Sequence, residues 1–211
     1  MNRVIYTIGH SNQLIETFVA ALEICGITAV ADVRSYPHSQ VNPQFDREML
    51  RRKLKSRKIA YVFLGKELGG RTDDPSCYVN ERVQYGRLAE TNLFQQGLDR
   101  IERGMRRHRI AVMCAEKEPL ECHRAILIAR QLVQRQICVR HILRDRQIED
   151  HEATMSRLLR LLNFNTNEHH LFRNQDDLLR EAYRIQGNKI GYEREKGRRA
   201  AKRPSGIQAE R

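Results

Sequence analysis

Short apolar runs alternate along the chain with longer amphipathic stretches, and this alternation limits the fold more than any other feature. Five runs are rich in β-branched and other apolar residues and end at polar residues or glycine. They predict strands at 4–8, 27–33, 59–64, 110–114 and 137–143. Strands that alternate with helices are typical of a mostly parallel sheet with helices on both faces and right-handed crossovers. We therefore predict an α/β fold with about five strands.

The stretches between these runs place apolar residues at helical spacing. They predict helices at 14–25, 46–57, 82–107 and 122–135, followed by two short helices at 155–162 and 176–185. We expect Gly97 and Gly104 to break the third of these helices. The last two helices are expected to pack on the domain or on a protein partner. The predicted organisation is an α/β domain at 1–150, a helical extension at 151–186 and a flexible basic tail at 187–211.

The 211 residues carry a net charge of +12, which attracts phosphates, nucleic acid or an acidic partner. Between positions 187 and 211 there are eight Lys or Arg and three Glu, a net charge of +5, which leaves +7 for the rest of the chain. This segment has little apolar surface to bury and is expected to be flexible. It is either a nucleic-acid arm or a solubilising tail.

The cysteine pattern and the hydropathy bear on the compartment. The five cysteines are odd in number and show no disulfide-framework spacing, so we expect reduced thiols and a cytoplasmic location. We find no apolar run near 18 residues and no basic-then-apolar leader. Neither a membrane span nor a secretory signal is therefore expected.

Reactive residues are densest between Ile110 and Arg124. A strand ends at Cys114, a charged loop follows, and Cys122, His123 and Arg124 are expected to open the next helix. A helix amino terminus favours an anion and lowers the pKa of a nearby thiol. Cysteine is also a common core residue, so a structural role for Cys114 stays open.

Polar residues follow several strands, and the carboxyl ends of parallel strands share the sheet edge where ligands bind. Gly-Gly at this edge lets a ligand approach the backbone, although a plain turn explains such a pair more often. We predict catalytic roles for Cys114, Cys122, His123 and His10. Substrate-binding or anion-binding roles are predicted for Ser11, Asp32, Arg34, Gly69, Gly70, Arg71, Glu116, Lys117 and Arg124.

These motifs resemble a known family. The matching residues are Thr7-Ile8-Gly9-His10-Ser11, Asp32-Val33-Arg34 with Pro37 and Phe45, Leu64-Gly65 with Leu68-Gly69-Gly70, and Cys114-Ala115-Glu116 with Cys122-His123-Arg124. In them the chain resembles, over roughly residues 4 to 143, the bacterial and archaeal family catalogued as domain of unknown function 488. The family name implies no settled activity.

A looser resemblance is to rhodanese-type sulfur-transfer domains. In those domains an Asp-Val-Arg strand precedes a strand that ends in a catalytic cysteine, as Asp32-Val33-Arg34 precedes Cys114 here. Their cysteine and arginine stand closer together than Cys114 and Arg124, which are ten positions apart with Cys122 between them. The resemblance therefore does not imply sulfur transfer for this chain.

The expected function is an enzyme that acts by transfer or hydrolysis on an anionic, phosphate-bearing substrate, a nucleotide or a nucleic acid. A cysteine thiolate would be the nucleophile and a histidine would move the proton. Two alternatives stay open: a nucleic-acid-binding component of a larger system, and a zinc-dependent enzyme. No cofactor is predicted outright. Zinc is the alternative, although seven residues between Cys114 and Cys122 exceed the usual ligand spacing and would call for His10 or another distant ligand.

Overall fold

The computed structural model describes residues 3–38, 41–164 and 174–194, and its centre is a six-stranded sheet. The strands of this sheet are β1 (Val4–Gly9), β2 (Ala29–Asp32), β3 (Ala60–Phe63), β6 (Ile110–Cys114), β7 (Cys138–Ile142) and β8 (Ile148–Asp150). They lie in the order β3-β2-β6-β1-β7-β8. All neighbours pair in parallel except β8, which runs antiparallel to β7. The predicted α/β fold is confirmed, and β8 adds a strand that the sequence did not indicate.

Helices cover both faces of this sheet. The described α-helices are α1 (Ile15–Ile24), α2 (Arg47–Ser56), α3 (Gly65–Leu68), α4 (Tyr85–Glu90), α5 (Asn92–Met105), α6 (Arg130–Gln134), α7 (His151–Leu161) and α8 (Gln175–Ile190). Phe18 of α1 and Leu50 of α2 are buried on one face, and Phe94 of α5 and Leu132 of α6 on the other. None of the described helices combines the length and apolar content that crossing a membrane requires.

The two central strands, β1 and β6, define the position of the crevice. From β1 the chain passes through α1 to β2, toward one edge of the sheet. From β6 it passes through α6 to β7, toward the opposite edge. In open α/β sheets such a reversal opens a crevice at the carboxyl ends of the strands, and ligands bind there. The loops after β1 and β6 flank this crevice.

The stretch 82–107, predicted as a helix that Gly97 and Gly104 break, forms a short strand and two helices instead. Its first residues form β5 (Arg82–Val83), which pairs with β4 (Tyr78–Val79). The break between α4 and α5 falls at Thr91, whose side chain accepts a hydrogen bond from the Phe94 N–H at 3.3 Å and so caps α5. Gly97 lies inside α5, tightly packed against α3. A capping residue, not a glycine, therefore sets the boundary.

The carboxyl-terminal helices are longer than predicted. Helix α8 extends to Ile190, so residues 187–190, which were assigned to the flexible tail, form its last turn. The next residues run beside β5, where the Val83 N–H donates to the Tyr192 carbonyl at 2.9 Å. The remainder of the predicted tail, 195–211, lies outside the described residues.

Helices α7 and α8 pack on the α/β domain. Met155 of α7 and Tyr183 of α8 are buried together with Leu120 and Ile126, which lie in and after the loop that follows β6. The domain itself thus covers the apolar faces of these helices, which was one of the two arrangements expected from the sequence.

A buried chain of hydrogen bonds fastens the same helices to the sheet. Thr7 Oγ1 lies 2.7 Å from His141 Nδ1, His141 Nε2 lies 2.9 Å from His151 Nδ1, and His151 Nε2 lies 2.8 Å from the Tyr183 hydroxyl. Each imidazole can donate at one nitrogen and accept at the other only when neutral, because imidazolium has no acceptor. Burial lowers the pKa of His151 to about 4 and holds the pKa of His141 well below its ordinary value.

We expect acid to weaken the fold through these two histidines. The unfolded chain binds protons at His141 and His151 below pH about 6.5 and the folded chain does not, so the free energy of unfolding falls as the pH falls from about 6.5 toward 4. The expected slope is about 1.4 kcal/mol per pH unit for each histidine. Urea unfolding at stepped pH measures it. The variant His151→Gln should lower the measured slope by about 1.4 kcal/mol per pH unit, and a wild-type profile that is flat between pH 6.5 and 5 contradicts the prediction.

Candidate functional site

A cavity of about 360 Å³ opens at the carboxyl ends of β2 and β6. Its wall contains Cys114, Glu116 and His123, which lie at the end of β6 and in the segment that follows. Arg34 and Arg71 line the same cavity. A second cavity, of about 410 Å³, adjoins it and is lined by His10, Ser11 and the shared Arg34. Eight of the thirteen predicted residues thus line two neighbouring cavities at one sheet edge.

The loops after β1 and β6 are joined through their backbones. The His10 N–H donates to the Cys114 carbonyl at 2.9 Å, and the Ser11 N–H donates to the Ala115 carbonyl at 2.8 Å. This close approach requires glycine at position 9, because a Cβ atom on Gly9 would overlap the Glu116 carbonyl oxygen. Gly9 therefore fixes the course of the loop that carries the reactive residues.

Arg124 is fully buried beneath this loop and holds it in shape. Its guanidinium donates to the Glu116 carbonyl at 2.7 Å and to the Lys117 carbonyl at 3.0 Å. Within the described part of the chain, no carboxylate forms an ion pair with Arg124, and its Nε has no hydrogen-bond partner. Arg124 and the Lys117 side chain lie in neither cavity wall. The geometry makes Arg124 a support of the loop, whereas the sequence predicted an anion-binding role.

The helix after the loop begins later than predicted. Pro119–Glu121 forms a turn of 3-10 helix, and Cys122 is extended, with φ −134° and ψ 140°. His123 is the first residue with helical angles, and the π-helical turn Arg124–Ala129 leads into α6. Such turns are frequent at functional sites. Because Cys122 precedes the helix, the backbone N–H of Arg124 is free to donate to its sulfur, at 3.4 Å.

Cys114, Glu116, Cys122 and His123 place their donor atoms within 4.8 Å of one another. His123 Nδ1 is 3.6 Å from the Cys114 sulfur and 3.9 Å from the Cys122 sulfur, which in turn is 2.8 Å from Glu116 Oε2. The other ring nitrogen, Nε2, lies 3.2 Å from the Val33 carbonyl. A carbonyl only accepts, so Nε2 carries the proton and Nδ1 faces the two sulfurs.

The charges of this cluster are strongly coupled. Burial raises the pKa of Cys114 well above its ordinary value, and the contact with Cys122 adds to this effect. Burial opposes ionisation of Cys122 as well, but the hydrogen bond from Cys114, the charge of Arg124 and the hydrogen bond with His123 outweigh it and hold the Cys122 pKa well below its ordinary value. Glu116 is exposed as a residue, but partial loss of water around its carboxylate and the Cys122 charge raise its pKa. Two anions 2.8 Å apart would repel each other, so Cys122 and Glu116 share one proton.

The second cavity contains a buried ion pair. Arg34 donates to Asp32 through Nε at 3.0 Å and through Nη2 at 2.7 Å, and the Tyr61 hydroxyl donates to the same carboxylate at 2.7 Å. His10 Nδ1 donates to the Ser11 carbonyl at 2.8 Å, so His10 Nε2 accepts from Arg34 at 3.2 Å. Burial lowers the pKa of His10 to about 4, despite its hydrogen bond to Ser11. Asp32 and His10 therefore position Arg34. His10 lines the second cavity, whereas Cys114 lines the first and Cys122 lines neither.

Arg71 is the exposed cation of the first cavity. Its guanidinium stacks over the ring of Tyr192 at 4.3 Å and over the ring of Tyr36 at 5.4 Å. Gly70 lies against His123, since a Cβ atom there would be 3.1 Å from the imidazole Cγ. Gly69, also predicted to bind an anion, is buried and does not line the cavity.

Part of the cavity wall was missed by sequence reasoning. Tyr85, Ile190 and Tyr192 line the cavity, although none of them follows a strand of the parallel sheet. Ile190 and Tyr192 come from the end of α8, which the charge pattern assigned to a flexible tail. The one available indication was an apolar and an aromatic residue in an otherwise polar segment.

This arrangement defines an open α/β protein whose central crevice holds, beside two arginines, a cluster of two buried cysteines, a buried histidine and an exposed glutamate. A family profile described as "Domain of unknown function DUF488" matches residues 14–131, more than half of the chain. The chain belongs to this family, as the motifs indicated. No curated protein and no solved structure matches the chain. The comparisons do not show the looser rhodanese-type likeness.

We expect Gly9→Ala to disrupt the site. The added methyl group would displace the Glu116 carbonyl, and overpacking of this kind costs about 1–3 kcal/mol of unfolding free energy. Gly86→Ala is the matched control, because no atom lies within 4 Å of a Cβ at this helical position. It should leave the stability unchanged or raise it by at most about 1 kcal/mol. Urea denaturation of both variants measures the difference, and equal stability of the two would refute the close approach at Gly9.

Proposed function

We propose that this protein is a thiol-dependent enzyme that acts by transfer or hydrolysis on a phosphate-bearing substrate, a nucleotide or a nucleic acid. One observation supports this above the others: Cys114 and His123 lie in the wall of the same cavity as Arg34 and Arg71. A nucleophile, a proton acceptor and cations thus surround a volume of about 360 Å³, within the usual range for small-molecule sites.

Cys114 is the proposed nucleophile because it lines the cavity, whereas Cys122 does not. Burial raises the pKa of Cys114, so its thiol needs a base, although the Cys122 pKa is the one that is lowered. His123 Nδ1, 3.6 Å from the Cys114 sulfur, accepts the thiol proton. A bond forms between the sulfur and the substrate as the bond to the leaving group breaks, and the leaving group takes the proton from His123. Water or a second substrate then cleaves the covalent intermediate and restores the thiol.

Arg71 and Arg34 have different proposed roles toward the anion. Arg71 is exposed at the cavity and has no carboxylate within ion-pair distance among the described residues, so it supplies positive charge. The charge of Arg34 is already balanced by Asp32, so Arg34 contributes an oriented guanidinium more than net charge.

The mechanism needs reduced thiols, and we propose a cytoplasmic location on this ground. All five cysteines are unbonded in the described residues. A net charge of +12 favours a polyanionic substrate as well as a free nucleotide.

Alkylation with a charged and an uncharged reagent tests the site without a known substrate. Iodoacetate is an anion and iodoacetamide is neutral, and the two transfer groups of similar size. We expect the iodoacetate-to-iodoacetamide rate ratio at Cys114 to exceed the ratio at exposed Cys138. The reason is that Arg34 and Arg71 line the cavity and can hold a carboxylate, despite the Glu116 and Glu121 side chains in the same wall. Peptide mass spectrometry resolves the two cysteines. Inorganic phosphate should protect Cys114 and leave Cys138 unprotected.

The arginine variants identify the source of this preference. Arg71→Gln should lower the ratio at Cys114, whereas Arg51→Gln, at an exposed position on α2, should leave it unchanged. A ratio at Cys114 no higher than at Cys138 would count against an anion site at the thiol.

Turnover provides a second prediction. Any activity found in a screen of phosphorylated compounds should be lost in Cys114→Ala and retained in Cys138→Ala, since Cys138 is exposed at the start of β7. If Cys114→Ala keeps full activity, the thiol mechanism is wrong. If no compound reacts and nucleic acid binds the variant as tightly as the wild type, the non-catalytic alternative replaces this proposal.

A further inference from the structure

We propose that Cys114, Glu116, Cys122 and His123 form a zinc-binding site. Their four potential ligand atoms lie within 4.8 Å of one another, and in the described part of the chain this is the one such group. Cys114, Cys122 and His123 are buried, and Glu116 is exposed. The inference does not depend on the proposed function, although both involve the same sulfur atoms.

The spacing of the ligand atoms suits a tetrahedral ion. Zinc bonds of about 2.3 Å to sulfur and about 2.0 Å to nitrogen place neighbouring tetrahedral ligands about 3.5 Å apart. His123 Nδ1 is 3.6 Å from one sulfur and 3.9 Å from the other. Glu116 Oε2, at 2.8 Å from the Cys122 sulfur, is at hydrogen-bond distance and would move outward by less than about 1 Å to bind the ion. Its exposed side chain leaves room for this movement.

The orientation of His123 is the one that a metal ligand requires. Nε2 donates to the Val33 carbonyl, so the lone pair of Nδ1 is directed at the space shared with the two sulfurs. Metal-binding histidines usually donate their other N–H to a carbonyl or carboxylate, which fixes the ring and raises its basicity. The backbone N–H of Arg124 similarly donates to the Cys122 sulfur at 3.4 Å.

Charge balance supports a divalent ion. Two thiolates and one carboxylate carry three negative charges, and a zinc ion reduces the total to one. The buried guanidinium of Arg124 then neutralises the remainder, and no described carboxylate forms an ion pair with it. Thiolate sulfur and imidazole nitrogen select zinc or another soft transition metal over Mg²⁺ or Ca²⁺.

The inferred metal site restricts the proposed reaction to one form of the protein. A sulfur bound to zinc cannot attack a substrate at the same time, so the thiol mechanism belongs to the metal-free form. The metal-bound form should therefore resist alkylation at Cys114 and Cys122, while Cys138 stays reactive.

Cobalt substitution tests the site directly. The reduced, metal-free full-length protein is titrated with Co²⁺, and Zn²⁺ is then added as a competitor. We expect one equivalent of cobalt to give the strong visible bands of a tetrahedral ion and a thiolate-to-cobalt band whose intensity matches two thiolates. One equivalent of zinc should abolish both signals.

Variants identify the ligands. Cys114→Ser and Cys122→Ser should each halve the thiolate-to-cobalt band and weaken binding by more than the 10- to 100-fold that the loss of an outer-shell partner costs. His123→Gln should weaken binding to a similar extent, and Glu116→Gln should alter the visible bands while the thiolate band remains. Cys138→Ser is the control and should bind cobalt as the wild type does.

The outcomes separate this inference from the proposed function. Absence of a tetrahedral cobalt spectrum from correctly folded, fully reduced protein overturns the zinc site and leaves the thiol mechanism intact. A cobalt spectrum that Cys138→Ser loses and Cys122→Ser keeps also overturns the site. If turnover of a phosphorylated compound requires zinc, the metal site stands and the thiol mechanism is the part that fails.

Discussion

The buried guanidinium of Arg124 is the interaction on which the rest of the site depends. It donates to two successive carbonyls of the loop after β6 and so closes this loop over the helix that follows. An arginine is costly to bury, and the hydrogen bonds to carbonyls engage only the two terminal nitrogens of Arg124 and do not balance its charge. The neighbouring thiols and Glu116 can provide the compensating negative charge. The same residue thus shapes the loop and favours an anion, whether thiolate or metal-bound thiolate, at Cys122.

Gly9 lies beside Arg124 at the same Glu116 carbonyl, since a Cβ atom on Gly9 would be 3.1 Å from Arg124 Nη2. Because it lacks a side chain, the carbonyl of Glu116 can approach β1, and the backbone of His10 can bond to that of Cys114. These hydrogen bonds join the two central strands beyond the end of the sheet, where the chain turns from β1 and from β6 toward opposite edges. A reactive group placed there gains a fixed geometry from both strands, which suits chemistry that needs accurate positioning.

The sequence predicted the sheet and its edge because parallel strands bring their carboxyl ends together whatever the details of the helices. It could therefore place Cys114, Arg34 and His10 near one another. It could not show that His10 bonds to Arg34 or that His123 faces the two cysteines, because these contacts depend on the directions of side chains on different strands. It also misplaced the helix start at Cys122, since a 3-10 turn and a π-helical turn share the composition of an α-helix.

The site extends beyond the residues that the family profile matches, and the cavity wall at the end of α8 is one such part. The matched range, 14–131, contains the four clustered residues but not β1, which pairs with β6 from Tyr6 to Gly9 and supplies Gly9. It also lacks Tyr192, whose ring stacks on Arg71 at the cavity. The hydrogen-bond chain from Thr7 through His141 and His151 to Tyr183 anchors α8 to the same central strand. The reactive cluster and the wall that faces it are therefore both attached to β1, and any change that loosens this strand should disturb the chemistry and the enclosure together.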